Sequence, residues 1–295
     1  VDATADTAEK TVLFSILVPP TPLEDVVGVF GPLIPEASGA ILEGTLGATA
    51  TLAWPAGTWT LHPTAQDLVA EGVLPPVDLR GGPFSWTAPS KEGGALRRAG
   101  EGVTGWVSLM DAGLFPDAVI AAEDSAFAHH NGVDLAAIQA ALDRMATEPD
   151  GPLRGGSTIT QQLAKNLFLD GQDRTLVRKL RELLFALELD QSLPKRRVLE
   201  LYINVVELGP GIIGVREAAD AYFLKSPGRL TPKEAAFLAS ILPAPRSMGN
   251  RAWRSGRVNH IRVAAVIDNM ADGGALSPDA ARAAHNAPLR FVPPP

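Results

Sequence analysis

Two adjacent carboxylates, Glu123 and Asp124, end a hydrophobic run in the segment AVIAAEDSAFAHHNGVD, residues 118–134. A carboxyl group in that position can be partly buried, and burial raises its pKa toward the range useful to a general acid or base. An acidic pair on a helix surface would give the same pattern. His129 and His130 follow, but adjacent side chains diverge on a helix and no HExxH spacing is present. The sequence therefore does not predict a zinc site.

A polar helix start follows in RGGSTITQQLAKN, residues 154–166. Thr158 and Gln161 have the spacing of a capping box, which predicts a capped amphipathic helix. Gln162 and Lys165 extend the same polar stripe, because they lie three or four residues from the first pair. A helix N-terminus that follows two glycines also presents backbone N–H groups to a phosphate. The stretch by itself leaves both interpretations open, and no Gly-Lys-Ser/Thr follows that would make it a P-loop.

Cations accumulate in the next part of an otherwise acidic chain. Between Lys165 and Arg197 there are eight Lys or Arg residues and five acids, whereas the whole chain has a net charge of −7. Glu182 is spaced to meet Arg178 and Lys179 on one helix face, and such pairs usually stabilise a surface helix slightly. The net charge argues against general nucleic-acid binding. The local cations instead predict a site for a phosphorylated ligand.

Composition is typical of a folded, cysteine-free protein. The chain has 295 residues, 46% hydrophobic and 20% charged, which is enough for one large domain or two ordinary ones. The absence of cysteine excludes disulfides and thiolate metal sites. The most apolar run, TVLFSILVPP, ends at prolines after about eight residues, too few to span a bilayer. Because the chain begins at Val1, we expect a partial or processed form whose signal or anchor, if any, lies outside it.

The elements that must position these residues divide into a β-rich and a helical part. Residues 1–87 are predicted to be mainly β, with a hairpin in ATLAWPAGTWTLHP and a short strand in DLRGGPFSW. We expect a linker at 88–102. Apolar spacings of three and four predict helices in GVDLAAIQAALDRM and RTLVRKLRELLFALEL. Thr231 and Glu234 predict another capping box, and Asn204 is expected to bond to backbone.

Five ordered stretches carry a family resemblance. EDSAFAHHNGVD, RGGSTITQQLAKNLF, RKLRE, KRRVLELYIN and AADAYF…LTPKEAAFLASILPAP resemble the five motifs of glycosyltransferase family 51, the peptidoglycan glycosyltransferases. The resemblance covers about residues 103–250. Glu207 stands where the bifunctional branch commonly has an aromatic residue, so the chain is more similar to the monofunctional transglycosylases. The β-rich region has a faint compositional similarity to AsmA-like envelope proteins.

The resemblance implies an α+β multidomain chain, with a mainly α, lysozyme-like glycosyltransferase domain at 101–295 after a smaller β-rich region and linker at 1–100. It implies polymerisation of lipid II into β-1,4 glycan with inversion and release of undecaprenyl pyrophosphate. A divalent cation, Mg²⁺ or Mn²⁺, is expected at the pyrophosphate. The expected partners are lipid II, the growing glycan chain, a membrane surface and other cell-wall synthesis proteins, without nucleic acid. The expected location is the periplasmic face of the inner membrane, within the cell envelope.

The resemblance also assigns residue roles. Glu123 would be the general base that deprotonates the acceptor 4-hydroxyl, and Glu182 the second family glutamate, which orients cations or holds a metal. A pyrophosphate leaving group needs charge neutralisation more than protonation, so one base and several cations suffice. The residues expected to bind substrate are Asp124, Ser157, Thr158, Gln161, Gln162, Lys165, Arg174, Arg178 and Lys179.

Two rival functions stay open at this point. A lysozyme-like hydrolase would cut glycan strands with a similar fold, and a non-catalytic envelope scaffold or lipid-binding protein would depend on the β-rich region. Lys165 and the cationic run favour a pyrophosphate substrate over hydrolysis. The presence of Glu123, Arg174 and Glu182 in the motifs favours an enzyme over a scaffold.

Overall fold

The computed structural model describes residues 2–6, 11–88, 94–148, 155–169 and 175–292. Arg174 therefore lies outside the described residues. The chain packs into two compact units. The first unit comprises Val1–Pro75, Asn131–Ser157 and Arg174–Glu188, and the second comprises Pro76–His130, Thr158–Asp173 and Leu189–Pro295. This interleaved division differs from the predicted boundary near residue 100, which stays a prediction.

A four-stranded antiparallel sheet forms most of the N-terminal part, which the sequence predicts to be mainly β. Its strands lie in the order β1-β2-β3-β4. They are β1 (Asp2–Asp6), β2 (Thr11–Pro22), β3 (Ile41–Trp54) and β4 (Thr58–Glu71). The predicted hairpin is confirmed, since Leu52 pairs with Trp59 and Ala50 with Leu61 across β3 and β4. Gly57 closes the turn at a φ of +71°, a conformation that favours glycine.

Three helices belong wholly or mostly to the first unit, namely α1 (Leu23–Gly28), α3 (Leu135–Thr147) and α5 (Leu176–Ser192). The predicted apolar stripe of α5 is largely buried, at Leu180, Leu184 and Leu187. The stripe predicted for α3 is only half-buried. Periodicity finds the apolar face of a helix, but the depth of its burial depends on what packs against it.

The second unit is mainly helical. Its elements are β5 (Phe84–Ala88), β6 (Ala95–Ala99), α2 (Phe115–Glu123), α4 (Ile159–Phe168), α6 (Lys195–Val205), β7 (Glu207–Gly209), β8 (Ile212–Ile213), α7 (Gly214–Phe223), α8 (Pro232–Ser240), α9 (Pro245–Ser255), α10 (His260–Asp272) and α11 (Pro278–Asn286). Together with the sheet of the first unit, they confirm the predicted mixed α+β class. The lysozyme-like topology stays a prediction.

Strand β6 corrects part of the predicted linker at 88–102. Ala95–Ala99 pairs in antiparallel register with β5, from Phe84↔Ala99 to Ala88↔Ala95. The strand has two arginines and little apolar alternation, so its pairing with β5 defines it more than its own composition does. Residues 89–93 of the predicted linker lie outside the described residues.

The core of the second unit surrounds α8. Helix α8 is buried from Glu234 to Ser240 and packs against α2 and α10, while α4 packs against α6. The predicted capping box is confirmed, because the Thr231 hydroxyl accepts the Glu234 N–H and the Glu234 carboxylate accepts the Thr231 N–H. Packing on α8 and α10 holds α2 and its last residue, Glu123, in place.

Asn204 connects α6 to the loop before α2. Its Nδ2 donates to the carbonyl oxygens of Val107 and Glu200, both at 2.8 Å, and its Oδ1 accepts the Val107 N–H at 2.9 Å. This confirms the predicted bonding to backbone. The amide satisfies both backbone groups of buried Val107, which would otherwise lack these partners.

Asn204→Ala is therefore expected to lower the free energy of unfolding by about 2–4 kcal/mol, since it leaves two buried backbone groups unsatisfied. Urea unfolding followed by circular dichroism measures the change. Asn286→Ala is the matched control, because that amide is exposed and donates to the Arg282 carbonyl within its own helix, and we expect less than about 0.5 kcal/mol. Equal losses in the two variants would contradict this role for Asn204.

Candidate active site

Glu123 is the last residue of α2, where the chain leaves the core. The helix buries Phe115, Ala118 and Val119, and the Glu123 side chain is 11% exposed. Apolar packing on the preceding turns thus places a carboxylate at the edge of the core. Glu123 is thus the partly buried acid after a hydrophobic run that the sequence predicts.

Two side chains hold the Glu123 carboxylate. Gln162 Nε2 donates to one oxygen at 2.9 Å, and Arg262 Nη2 donates to the other at 3.1 Å. Tyr202 donates its hydroxyl to Gln162 Oε1 at 2.8 Å. Burial, together with the nearby carboxylates Glu123 and Asp124, raises the pKa of Tyr202 well above its usual value, so the hydroxyl stays protonated and donates. Tyr202 thereby turns the amide so that its NH₂ faces Glu123.

Opposing effects act on the basicity of Glu123. Burial raises the pKa of its carboxyl group, while the Gln162 hydrogen bond and the charges of Arg262 and Lys165 lower it, and the net direction is upward. A carboxylate with a raised pKa accepts a proton more readily than an exposed one, and the nearby cations favour its ionised form. This combination suits a general base.

Asp124 stabilises local structure rather than presenting a free carboxylate. Its Oδ2 accepts the Ile159 N–H, in the first turn of α4, at 2.9 Å, and both oxygens lie 3.0 Å from His130 Nε2. His130 Nδ1 lies 3.4 Å from Lys195 Nζ. An acid at a helix N-terminus meets unpaired N–H groups and the positive end of the helix dipole. Asp124 therefore connects the Glu123 segment to α4, and its predicted contact with substrate stays a prediction.

The predicted polar stripe of α4 divides into two pairs. Thr158 and Gln161 form the predicted capping box and are buried, so their side chains bond within the helix start. Gln162 and Lys165, one turn further along, act on Glu123. The binding roles predicted for Thr158 and Gln161 stay predictions, and the structural role of the cap is confirmed.

A second cluster lies in the first unit, around Glu182 of α5. Glu182 is buried, and its two carboxylate oxygens accept from Arg178 Nη1 and, at 2.9 Å, from Lys179 Nζ. Lys179 Nζ also lies 2.8 Å from Ser157 Oγ. The neighbouring Gly156 packs closely on α3, because a Cβ there would lie 2.7 Å from the Ile138 Cα. The structure therefore brings Ser157, Arg178, Lys179 and Glu182 together. The contacts of Glu182 with Arg178 and Lys179 agree with the predicted spacing, and the binding roles of the four residues stay predictions.

The donor set around these glutamates does not favour a metal held by the protein. Both oxygens of Glu182 accept from cationic side chains, and both oxygens of Glu123 accept from Gln162 and Arg262. Within the described ranges, no group of three or more His, Cys, Asp or Glu side chains could hold a metal ion. The divalent cation implied by the resemblance stays a prediction. The described residues contain no acidic or histidine cluster that would hold it.

Arg262 is the residue at the candidate site that sequence reasoning missed. It lies in the first turn of α10, and its Nε donates to the Ser240 carbonyl oxygen at 2.8 Å, which aims the guanidinium at Glu123. A single arginine at the start of an amphipathic helix has no signature in the sequence. Only the packing of α10 against α2 reveals its role.

Comparison with known proteins bears on this arrangement. The family model described as Transglycosylase matches residues 104–271, more than half of the chain. The chain belongs to the transglycosylase family. The match includes Glu123, Gln162 and Arg262, and it confirms the family that the motifs predict.

Relatives in this family are similar over the same part of the chain. The protein named biosynthetic peptidoglycan transglycosylase from Shewanella amazonensis is 58% identical over 162 residues, which is 51% of this chain and 64% of that protein. Its namesake from Xanthomonas campestris is 46% identical over 158 residues, 51% of this chain and 63% of the relative. The chain thus spans less than two thirds of the length of these relatives.

The crystal structure of penicillin-binding protein 1A from Haemophilus influenzae aligns with 74% of this chain and 22% of its own, at 20% identity and a TM-score of 0.36. This likeness is too distant to assign a fold.

Arg262→Ala is expected to raise the pKa of Glu123 further, because it removes a positive charge that stabilises the carboxylate. The acidic limb of any pH–rate profile that depends on this base should move to higher pH. Titration of the ¹³C-labelled carboxyl carbon by NMR measures the pKa directly, with Glu123→Gln identifying the resonance.

Two controls accompany this titration. Arg262→Lys keeps the charge and should shift the pKa less than the alanine variant. Arg254→Ala removes an arginine whose Nε donates to the Asn250 amide on an exposed surface, and it should leave the pKa of Glu123 unchanged. An unchanged or lowered pKa in Arg262→Ala would show that Arg262 does not stabilise the carboxylate.

Proposed function

We propose that this chain is a peptidoglycan glycosyltransferase that polymerises lipid II into β-1,4 glycan strands and releases undecaprenyl pyrophosphate, at the periplasmic face of the inner membrane. The observation that carries the proposal is the largely buried Glu123 carboxylate, bonded to Gln162 and flanked by the charges of Lys165 and Arg262. Family membership and the names of the relatives support the same class of reaction.

Glu123 acts as the general base in this proposal. It takes the proton of the acceptor 4-hydroxyl while that oxygen attacks the anomeric carbon of the donor sugar. The new bond joins the acceptor oxygen to the anomeric carbon, and the bond to the pyrophosphate oxygen breaks on the opposite face, which inverts the configuration. The raised pKa of Glu123 supports the role, since a base is most effective when its pKa lies near the working pH.

Cations neutralise the leaving group in this mechanism. The pyrophosphate departs with its electron pair and needs positive charge more than a proton donor, so a second free carboxylic acid is not required. Lys165 on α4, whose charge acts on Glu123, supplies part of this charge. The resemblance of the motifs assigns the same role to Arg178 and Lys179 of α5. Glu182 fixes the two cations of α5 through its hydrogen bonds and acts as a positioning residue. Arg178 Nε is buried without a hydrogen-bond partner among the described residues, so this arginine keeps an unused donor.

Glu123→Gln is expected to lower the rate of polymer formation from labelled lipid II by at least about 100-fold, because the amide cannot accept the proton. Gel separation of the glycan products measures the rate. Glu101→Gln is the matched control, since this carboxylate is 70% exposed, and it should retain activity within about twofold. Polymerisation by Glu123→Gln at the parent rate would refute the assigned base. Release of muropeptides from purified sacculi by the parent chain would instead favour the hydrolase.

Arg178→Ala is expected to lower kcat/KM for lipid II by about tenfold or more, because it removes charge opposite the pyrophosphate and a partner of Glu182. Arg181→Ala is the matched control, because Arg181 lies on the same helix and pairs with Glu36 instead. The control should change kcat/KM by less than about threefold, measured in the same polymerisation assay. Equal losses would mean that Arg178 acts only through the stability of α5.

A further inference from the structure

One face of the N-terminal sheet carries apolar side chains on three adjacent strands. The register pairs Phe14 with Leu52 and Ile16 with Ala50 across β2 and β3, and it pairs Leu52 with Trp59 across β3 and β4. Directly paired residues share a face of an antiparallel sheet. We call this the apolar face, and it consists of Val12, Phe14, Ile16, Val18, Ala48, Ala50, Leu52, Trp54, Trp59, Leu61 and Pro63.

The opposite face is different in chemistry. It presents Thr49 and Thr51 of β3 and Thr60 of β4, and the hydroxyls of Thr51 and Thr60 lie 2.7 Å apart. Leu13 and Leu17 of β2 also point to this side. The sheet is therefore two-sided, with one apolar face and one threonine-rich face.

Large side chains of the apolar face are accessible. Their exposed fractions are 36% for Phe14, 46% for Ile16, 47% for Val18, 42% for Leu52 and 62% for Trp54. A soluble protein rarely leaves a contiguous apolar surface of this kind uncovered, and such surfaces typically bind a partner or a membrane.

The same region lacks formal charge. Neither residues 11–23 nor residues 44–66 contain an Asp, Glu, Lys or Arg, although such residues make up 20% of the chain. A protein–protein interface usually has a polar rim with charges that set orientation. The residues of the apolar face are all uncharged, whereas Asp2 of β1 pairs with Ser15 on the opposite face. An uncharged face suits contact with lipid, where a charged side chain would be costly to bury.

We propose that the apolar face docks on the surface of a lipid bilayer through hydrophobic contact. Trp54 lies at the hairpin end of β3, and tryptophan favours the boundary between acyl chains and headgroups. Strand β4 is an edge strand of the sheet, and unpaired backbone groups need water or headgroups as partners, which limits docking to the interface. The net charge of −7 offers no general attraction to anionic lipids, so binding depends on apolar area.

This inference rests on the proposed function in one respect, because a lipid-linked substrate requires the chain to work at a bilayer. Its test does not need that substrate. Binding of the 295-residue chain to phosphatidylcholine vesicles is measured by flotation in the absence of lipid II. A failure to bind vesicles would therefore leave the proposed transferase activity intact, and a failure to polymerise lipid II would leave this surface in place.

Paired substitutions on opposite faces of β2 provide the test. Ile16→Thr with Val18→Thr makes the apolar face polar and keeps β-branched side chains, so the strand propensity is retained. Leu13→Thr with Leu17→Thr is the matched control on the other face, where Leu17 is 67% exposed. We expect the first pair to weaken vesicle binding by about tenfold or more and the second by less than about threefold.

Salt and lipid charge complete the experiment. Binding should be equal at low and high salt and should not need anionic lipid, since hydrophobic contact is not screened. Any of four results would overturn the proposal: no binding to phosphatidylcholine, equal loss in both pairs, binding that needs anionic lipid and falls with salt, or a dimer in lipid-free solution that only Ile16→Thr with Val18→Thr dissociates. The last result would show that a second copy of the chain covers the apolar face.

Discussion

The candidate site depends on one largely buried carboxylate, Glu123, whose pKa three neighbours lower against the effect of burial. Burial raises the pKa of Glu123, because a low-dielectric surrounding penalises the charged form. The Gln162 amide and the charges of Arg262 and Lys165 offset part of that penalty. A base needs this compromise, since a fully exposed carboxylate accepts protons weakly and a fully desolvated one would already be protonated.

The surrounding structure serves to hold this arrangement. Asp124 connects the end of α2 to the first N–H of α4, and Tyr202 on α6 fixes the orientation of the Gln162 amide. The Ser240 carbonyl at the end of α8 aims Arg262. Each contact satisfies a polar group that would be costly to bury alone, so fold stability and site geometry depend on the same hydrogen bonds.

The surroundings of Glu182 differ from those of Glu123. There a buried acid is surrounded by cations, and its two oxygens accept from Arg178 and Lys179. An acid that accepts hydrogen bonds from two cationic side chains holds those cations in fixed positions. The two glutamates that the motifs single out thus have different surroundings, which fits one base and one positioning residue.

Sequence by itself determined the local features of this protein: the β3–β4 hairpin, the capping boxes at Thr158 and Thr231, and the family motifs. These features depend on residues a few positions apart, so the pattern and the physical cause lie in the same short stretch. Only the tertiary structure decided that Gln162, rather than the capped Thr158 and Gln161, bonds to Glu123, that Ala95–Ala99 is a strand, and that Arg262 reaches the site. Those outcomes depend on contacts between residues that are distant in the chain, such as Glu123 and Arg262, which lie 139 positions apart. The spacing of residues along a sequence does not show which distant surfaces pack together.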